Sequence, residues 1–530
     1  MTQSLCVAST LLNNKSGHVF QYPAGTEKVY SNFTPRSDRL APVLRTGPAT
    51  FDGKVVFFGL QGFILDILVD AFNTEFFKLP KAKAVGRYRR RMDNALGPGA
   101  VPVDHIEALH DLGYLPLHIK ALPEGSLVDI KVPPFTVTET LPQFFWLTNY
   151  IETMLSNANW KPMTVATLAY QYRRLLQAYC DLTGGDANFI DWQAHDFSAR
   201  GMAGPEDAAR SGAGHLLSFT GTDTVNAIDY LEDFYGADSD AEMIGGSIPA
   251  TEHSVMSMGG QLDEIGTFRR LITQVYPAGL VSIVSDTWDF WQVITDYAVQ
   301  LKDEILARQP NALGQAKVVF RPDSGDPVLI LTGHLDEELV AGPDGQPLQD
   351  ADGSYTVREG GRRITDAERR GAVQCLWDVF GGTTTAKGFK VLNERVGLIY
   401  GDSITLQRAD AILRRLMAKG FASTNVVLGV GSYSYQFITR DSFGMAMKAT
   451  AGVVNGELRE LSKDPKTDGG TKKSAVGLLR VEREDGRYVL FDRQTPEQEA
   501  GGLLATVFKD GELLRRQTLA EIRARLRAGG

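Results

Sequence analysis

The strongest constraint in this chain is a rhythm that runs through its middle for about 240 residues, in which short β-branched runs end abruptly in polar or glycine residues and amphipathic stretches follow them. Such alternation is the signature of βα units feeding a parallel sheet. The clearest runs cover 280–286, 317–327, 396–403 and 425–432, and the segments ending in HDFSARG, GTDT and ATEHS behave the same way. That makes about seven strand candidates. In a parallel barrel the C-terminal strand ends share one face, and that face carries the chemistry. The expected class is therefore α/β, with a barrel over 151–440.

The flanks differ in character. Residues 1–150 mix short strands, such as 28–33, with helical pieces. Residues 441–530 read as antiparallel sheet that turns at Asp485-Gly486 and Asp510-Gly511, then a last helix with Thr518 and Glu521 in capping-box spacing. The two ends are expected to share a second, α+β domain. Within the barrel region, 287–308 shows a helical stripe of Phe290, Ile294, Tyr297, Leu301 and Ile305, and 405–419 reads as a helix closed by Gly420. Residues 341–363 break the rhythm with two Asp-Gly turns and read as a surface excursion.

Charge and composition exclude several classes. With 55 Lys+Arg against 64 Asp+Glu the net charge is −9, so there is no global basic footprint for nucleic acid or an anionic membrane. The most apolar stretch, 55–72, is interrupted by Gln61, Asp66 and Asp70, too polar to span a bilayer, and reads as a buried helix. Cys6, Cys180 and Cys375 form no disulfide framework and no thiolate zinc site, and the histidines lack zinc spacing. A reducing cytoplasm is expected, because no basic segment precedes the short apolar run at the N-terminus.

The strand ends carry the candidate chemistry. Arg321 and Asp323, in RPDSGDP, can hold a phosphate oxygen together with a ribose hydroxyl or a Mg²⁺ water, or form a structural turn pair. Gly401-Asp402 and Gly431-Ser432 offer bare amides to a phosphate, or merely allow tight turns. Glu252-His253 offers a proton shuttle, a phosphate ligand, a phosphorylatable imidazole or only a hydrogen-bonding pair. Phe197 can stack on a flat ring, with Arg200 near an anion, or pack in the core; Asp223 can accept from a substrate amide or cap a helix. Arg440, Lys448, Lys463, Lys472 and Lys473 make a basic stretch that is either a polyphosphate lid or a solvated face.

These motifs, in this order, resemble the nicotinamide phosphoribosyltransferases of the type II phosphoribosyltransferase family. The match is carried by LTNYIETML with TVAT, HDFSARG, GTDTV, EHS, VSDTWD, RPDSGDP, YGD, TRD, SKDP and KKS, spread over nearly the whole chain. The resemblance implies an irregular α/β barrel plus an α+β domain, working as a homodimer with active sites at the interface. It implies formation of nicotinamide mononucleotide and pyrophosphate from nicotinamide and phosphoribosyl pyrophosphate, with Mg²⁺ and with ATP as a coupled co-substrate.

By the same resemblance, Phe197 stacks on the pyridine and Asp223 accepts from its carboxamide. Arg200, His253 and Arg321 hold the pyrophosphate side, with His253 phosphorylated by ATP and Glu252 as its partner. Asp289 and Asp323 serve the ribose and Mg²⁺, and Ser285 belongs to the substrate-binding set. Gly401, Asp402, Gly431 and Ser432 take the 5′-phosphate. Arg440, Lys448, Lys463 and Lys472 reach across the dimer or close over the site.

The chain departs from the family where Thr-Asp-Ser-Tyr-Lys is usual and it reads Leu11-Leu12-Asn13-Asn14-Lys15. Losing that tyrosine removes one aromatic face, worth roughly 0.5–1.5 kcal/mol of ring binding. Trp192 is the nearest other aromatic upstream of Phe197. The competing expectations are a transferase preferring nicotinate or another pyridine, and a catalytically weak nucleotide-binding relative.

Overall fold

The computed structural model describes residues 15–41, 44–312, 314–401, 403–462 and 475–529. Five strands form a parallel sheet in the spatial order Ala194–Asp196, Val427–Val430, Val396–Tyr400, Lys317–Arg321, Leu280–Val284. Parallel bridges from Ser282 to Ala250, from Gly246 to Gly221 and from Thr222 to Asp196 carry the ring through two further segments and back to its start. The result is a closed barrel whose seven staves are the segments marked by the sequence rhythm. Closure removes the exposed strand edges that an open sheet would leave. Two staves are held by single bridges rather than ladders, which makes the barrel irregular.

The barrel is hollow. Closed parallel barrels are usually filled by branched side chains from alternate strands, but here Gly246, Ala250, Ser282 and Gly397 put little volume inside. A cavity of about 540 Å³ remains, lined from strand starts such as Lys317 and Val427 to strand ends such as His195 and Arg321.

At the mouth the staves come too close for side chains. A Cβ at Gly429 would lie 2.5 Å from the Tyr400 carbonyl oxygen and 2.7 Å from the Gly401 carbonyl carbon, both backbone of the neighbouring stave. Gly429→Ala should therefore cost about 1–3 kcal/mol of stability, read as a lower urea midpoint with an unchanged m-value. An unchanged midpoint would mean the staves can separate at no cost.

Helices pack around the barrel. The longest, Glu152–Thr183, buries residues along its whole length. Helix Pro205–His215 approaches it closely enough that a Cβ on Gly214 would lie 2.9 Å from the Pro162 carbonyl oxygen. At its end the buried His215 accepts from the Tyr435 hydroxyl at Nδ1 (2.7 Å) and donates from Nε2 to the Gly221 carbonyl (3.0 Å), joining two sides of the barrel mouth. Burial lowers the His215 pKa to about 4, keeping the ring neutral in this role.

The second sheet is antiparallel and draws on both ends of the chain. Its order is Glu457–Glu460, Ala446–Val454, Thr26–Thr34, Phe135–Glu139, Leu117–Ala121, Ala505–Lys509, Glu512–Leu513. A hairpin, Leu478–Glu484 with Arg487–Gln494, turns at Asp485 and Gly486, both with positive φ of 48° and 76°. Such pairs favour Asp-Gly. The last helix, Leu519–Arg527, starts with the reciprocal Thr518–Glu521 capping box.

Two helix expectations are corrected. Within 55–72, Val55 and Val56 belong to the strand Lys54–Val56; helix starts only at Leu60, after Gly59 turns the chain with φ 105°, and it runs on as π-helix over Ile64–Ala71. The stripe over 287–308 is also broken, into Phe290–Gln292, a π-helical turn Val293–Tyr297, Ala298–Gln300 and Lys302–Leu306. Phe290, Ile294, Leu301 and Ile305 are buried as the stripe predicts, while Tyr297 is only partly so. The wider π turn shifts the phase of the stripe. Among the described residues, no helix is long and apolar enough to cross a membrane.

Candidate active site

One side of the barrel mouth is built to receive a flat polar ring. Phe197 follows the Ala194–Asp196 strand, and its backbone N–H bonds the Val430 carbonyl of the next stave (2.9 Å). Its ring packs at 4.5 Å between centroids against His195, and both line the cavity together with Trp192 and Asp223. The direction of Trp192 is thus settled: it shares the chamber of Phe197. Beneath, the fully buried Asp196 accepts from the Ser198 N–H (2.8 Å) and shapes the turn that carries Phe197 and Arg200.

Asp223 is held as a carboxylate. His195 Nε2 donates to its Oδ1 at 2.9 Å and the Ser247 hydroxyl at 2.5 Å. Partial burial works against the charge, but these donors, with the positive charge of Arg321, outweigh it and hold the pKa below the ordinary value. Asp223 also lies one residue beyond the bridge residue Thr222, so the barrel closure itself places it. It does not serve as a helix cap: the following helix, Asn226–Tyr235, has Val225 at its N-cap position.

The opposite side gathers the charged motifs. Thr251 is sewn to the Leu280–Val284 strand by its N–H to the Ser282 carbonyl and by its hydroxyl accepting from the Val284 N–H, each 2.9 Å. Its carbonyl accepts from the Arg321 guanidinium, whose Nε is buried without a partner. His253, half-exposed, donates from Nε2 to Asp286 Oδ1 at 3.2 Å. Asp286 Oδ2 in turn accepts from the Asp323 N–H (2.8 Å) and the Ser324 hydroxyl (2.6 Å). Asp323 then faces Gly401, where a Cβ would lie 2.5 Å from Asp323 Oδ1. On the far rim Gly201 abuts the Ser432 side chain, so the Arg200 turn and the Gly431-Ser432 turn are neighbours.

The geometry therefore brings together Phe197, Arg200, Asp223, His253, Arg321, Asp323, Gly401, Gly431 and Ser432 around one mouth. Three sequence-based roles need correction. Among the described residues the partner of His253 is not Glu252 but Asp286, whose side chain is buried. Asp289 caps a helix, its Oδ1 accepting from the Trp291 and Gln292 N–H groups at 3.0 and 3.2 Å. It faces Glu264, which burial and the Asp289 charge raise to about 7. Ser285 is fully buried, donating to the Ile283 carbonyl (2.7 Å) and accepting from the Arg321 N–H (3.3 Å), so it fixes the stave of Arg321 rather than facing a ligand.

Arg440 and Lys448 are carried by the antiparallel side. Arg440 pairs with Asp441 at 3.2 Å, and Lys448 is exposed on the Ala446–Val454 strand. Asp402, Lys463 and Lys472 lie outside the described residues, as do Leu11 to Asn14. The residues that sequence reasoning missed are Asp286, Ser247 and the aspartate-binding role of His195. Asp286 was visible as the first acidic residue after the 280–284 run, in the same relation to its strand as Asp323.

Comparison with known proteins agrees with this arrangement. The model of the nicotinate phosphoribosyltransferase (NAPRTase) family matches residues 192–512. A protein of Acinetobacter baylyi named nicotinamide phosphoribosyltransferase is 58% identical over 512 residues, covering 97% of this chain and 95% of that one. One of the same name from Xanthomonas campestris pv. campestris is 32% identical, covering 96% of each. The crystal structure of nicotinate-nucleotide pyrophosphorylase from Pyrococcus furiosus matches in fold with a TM-score of 0.54 at 13% identity, over 100% of this chain and 96% of that one. The chain belongs to the nicotinate phosphoribosyltransferase (NAPRTase) family.

Proposed function

We propose that this protein is a nicotinamide phosphoribosyltransferase of NAD salvage, transferring the phosphoribosyl group of phosphoribosyl pyrophosphate to the ring nitrogen of nicotinamide and releasing pyrophosphate. The observation that carries this reading is an ionised Asp223 in the same chamber as Phe197 and Arg321. A carboxylate accepts from a carboxamide N–H and repels a pyridine carboxylate. The 58% identical relative bears the same name.

The chemistry asks for no strong base, because the pyridine nitrogen has a free lone pair. Phe197 and Asp223 orient the ring so that this lone pair meets the anomeric carbon. Arg321 and Arg200 stabilise the departing pyrophosphate, and the backbone of the Gly431-Ser432 turn holds the 5′-phosphate, whereas the Gly401 N–H, expected to join it, is taken by the Pro322 carbonyl at 3.1 Å.

Mg²⁺ is part of the proposal. Among the described residues no cluster of three or more metal-ligating side chains exists. A Mg²⁺ carried largely by phosphate oxygens and water needs only one or two protein carboxylates, and Asp323 fits, since its carboxylate makes no hydrogen bond among the described residues. When bound, the ion neutralises charge on the leaving pyrophosphate. ATP is proposed as a coupled co-substrate that phosphorylates His253.

The working form is proposed to be a homodimer with the mouth at its interface. Exposed apolar side chains cluster in sequence beside the site residues: Val225 after Asp223, Val255 and Met258 after His253, Tyr433 and Phe437 after Ser432. Apolar rims of this kind mark surfaces that a partner covers. Arg440, in the short helical turn before the Ala446–Val454 strand, and Lys448, on that strand, would then serve the neighbouring mouth. A reducing cytoplasm suits the two buried free thiols, Cys180 and Cys375.

The test is product formation with phosphoribosyl pyrophosphate and Mg²⁺, comparing nicotinamide with nicotinate, each with and without ATP. Nicotinamide mononucleotide from the amide, with little product from the acid, is expected. Preference for the acid, or no product from either, would overturn the assignment.

A further inference from the structure

Arg408 stands in the first turn of the helix Leu406–Ala418, where its backbone N–H is capped by the Thr405 hydroxyl at 3.2 Å. A cation there opposes the helix dipole, and no acidic residue shares that turn with it. Among the described residues Arg408 forms no ion pair either; its side chain meets only Ser403 and the Tyr433 ring. The fold gains little from this charge, which stays available to an anion.

The side chain folds back over a strand end. Nη1 donates to the Ser403 carbonyl at 2.7 Å and to the Ser403 hydroxyl at 2.9 Å, holding that residue at φ 62°. The guanidinium carbon lies 6.0 Å from the centre of the Tyr433 ring, and Tyr433 stacks on Phe437 at 5.5 Å with the planes 3° apart. Arg408 thus reaches from the turn that ends the Val396–Tyr400 stave to the turn that ends its parallel neighbour, Val427–Val430. An aromatic face supports a guanidinium without using its N–H groups. Nε and Nη2 make no hydrogen bond among the described residues, so that edge of the fork is uncommitted. Burial first, then the charges of Asp323, Asp286 and Asp326, push the Tyr400 hydroxyl up, and Arg408 opposes them, so its charge is felt inside the mouth.

We propose, resting on the transferase reading above, that Arg408 is a further substrate-binding residue, its Nε–Nη2 edge taking the 5′-phosphate in a two-point grip while Nη1 keeps the 401–403 turn in place. The Gly401 N–H is spent on the Pro322 carbonyl, so this stave offers the phosphate one backbone donor fewer than its sequence suggests. Arg408 supplies donors on that side, opposite the Gly431-Ser432 turn. A planar guanidinium matches two phosphate oxygens at once, which neither a single amide nor an ammonium reproduces.

The experiment is calorimetric titration of the full-length protein with ribose 5-phosphate and, separately, with pyrophosphate. Arg408→Ala should weaken ribose 5-phosphate by about 10- to 100-fold and leave pyrophosphate, which meets Arg321 and Arg200, unchanged. Arg408→Lys keeps the charge but not the fork and should fall between. In steady state, KM for phosphoribosyl pyrophosphate should rise while KM for nicotinamide holds. Equal ribose 5-phosphate affinity in wild type and Arg408→Ala would overturn the inference, and so would an equal loss for both ligands, which would mean that Arg408 only shapes the mouth. Should the alanine variant not fold, wild-type affinity in Arg408→Lys overturns the two-point grip. Ribose 5-phosphate held through Arg408 by a protein that makes no nicotinamide mononucleotide would support the inference and overturn the transferase assignment; mononucleotide synthesis indifferent to Arg408 would do the reverse.

Discussion

Replacing Asp323 with alanine should lower kcat/KM for phosphoribosyl pyrophosphate by about 10²- to 10³-fold while the melting temperature moves by no more than about 2 °C. The asymmetry follows from where the side chain stands. Its backbone N–H is committed to Asp286, but its carboxylate makes no hydrogen bond among the described residues and lies against Gly401. Removing it leaves no donor orphaned in the fold, which is the usual source of large destabilisation. On the proposed reading, what is lost is the negative charge that meets the ribose, as it gains cation character, and the Mg²⁺. Steady-state kinetics at several Mg²⁺ concentrations, with calorimetry on the same samples, check both halves. Unchanged kcat/KM would reduce Asp323 to a turn residue, and a large drop in melting temperature would show that the fold depends on it.

The barrel was legible because four staves are β-branched runs that end abruptly in polar residues, and the other three segments end in the same polar manner. That rule is strong enough to mark even the segments at 221–222 and 246–250, which the structure joins to their neighbours by single bridges. The hairpin turns were equally plain, since Asp485-Gly486 and Asp510-Gly511 all need positive φ and the residue pair says so. Helix boundaries were not legible, for two physical reasons. Gly59 breaks an apolar run that has no polar residue to announce the break, and a π turn at Val293–Tyr297 alters a phase that a fixed period assumes to be constant. The hollow interior was invisible as well. It arises from small residues on different staves, Gly246, Ala250, Ser282 and Gly397, whose coincidence at one depth only closure reveals.

For the site, sequence placed residues at strand ends but not the bonds between them. His253 and Glu252 are neighbours in the chain, so pairing them was natural. The helix that starts at His253 instead sends the imidazole across to the next stave and Asp286. Ser285, Asp286 and Asp289 lie within five residues of one another, yet one is buried against its own strand, one bridges two motifs and one caps a helix. Composition cannot separate those three fates; the direction in which each side chain leaves the turn decides them.

Asp223→Asn should shift the ratio of kcat/KM for nicotinamide over nicotinate by about 10²-fold toward the acid. In the wild-type protein Asp223 sits between His195 and Ser247 with Arg321 nearby, and these interactions overcome its partial burial to keep the pKa below 3.8. The sign of the pH effect follows. A depressed carboxylate pKa means that its charge, and the stabilisation drawn from its partners, is fully present above the ordinary carboxylate value and is lost only as pH falls through the lowered one. Discrimination should therefore be flat across the neutral range and weaken only in strong acid. Asparagine keeps the shape and an acceptor oxygen but carries no charge, so a bound nicotinate carboxylate no longer meets a like charge. Its NH₂ group also points a donor where the carboxylate had an acceptor, either toward His195 and Ser247 or toward the substrate amide. Nicotinamide efficiency should fall as nicotinate efficiency rises. Competition between the two bases at several pH values reads this directly, and a variant with the wild-type ratio would show that Asp223 orients the ring without selecting it.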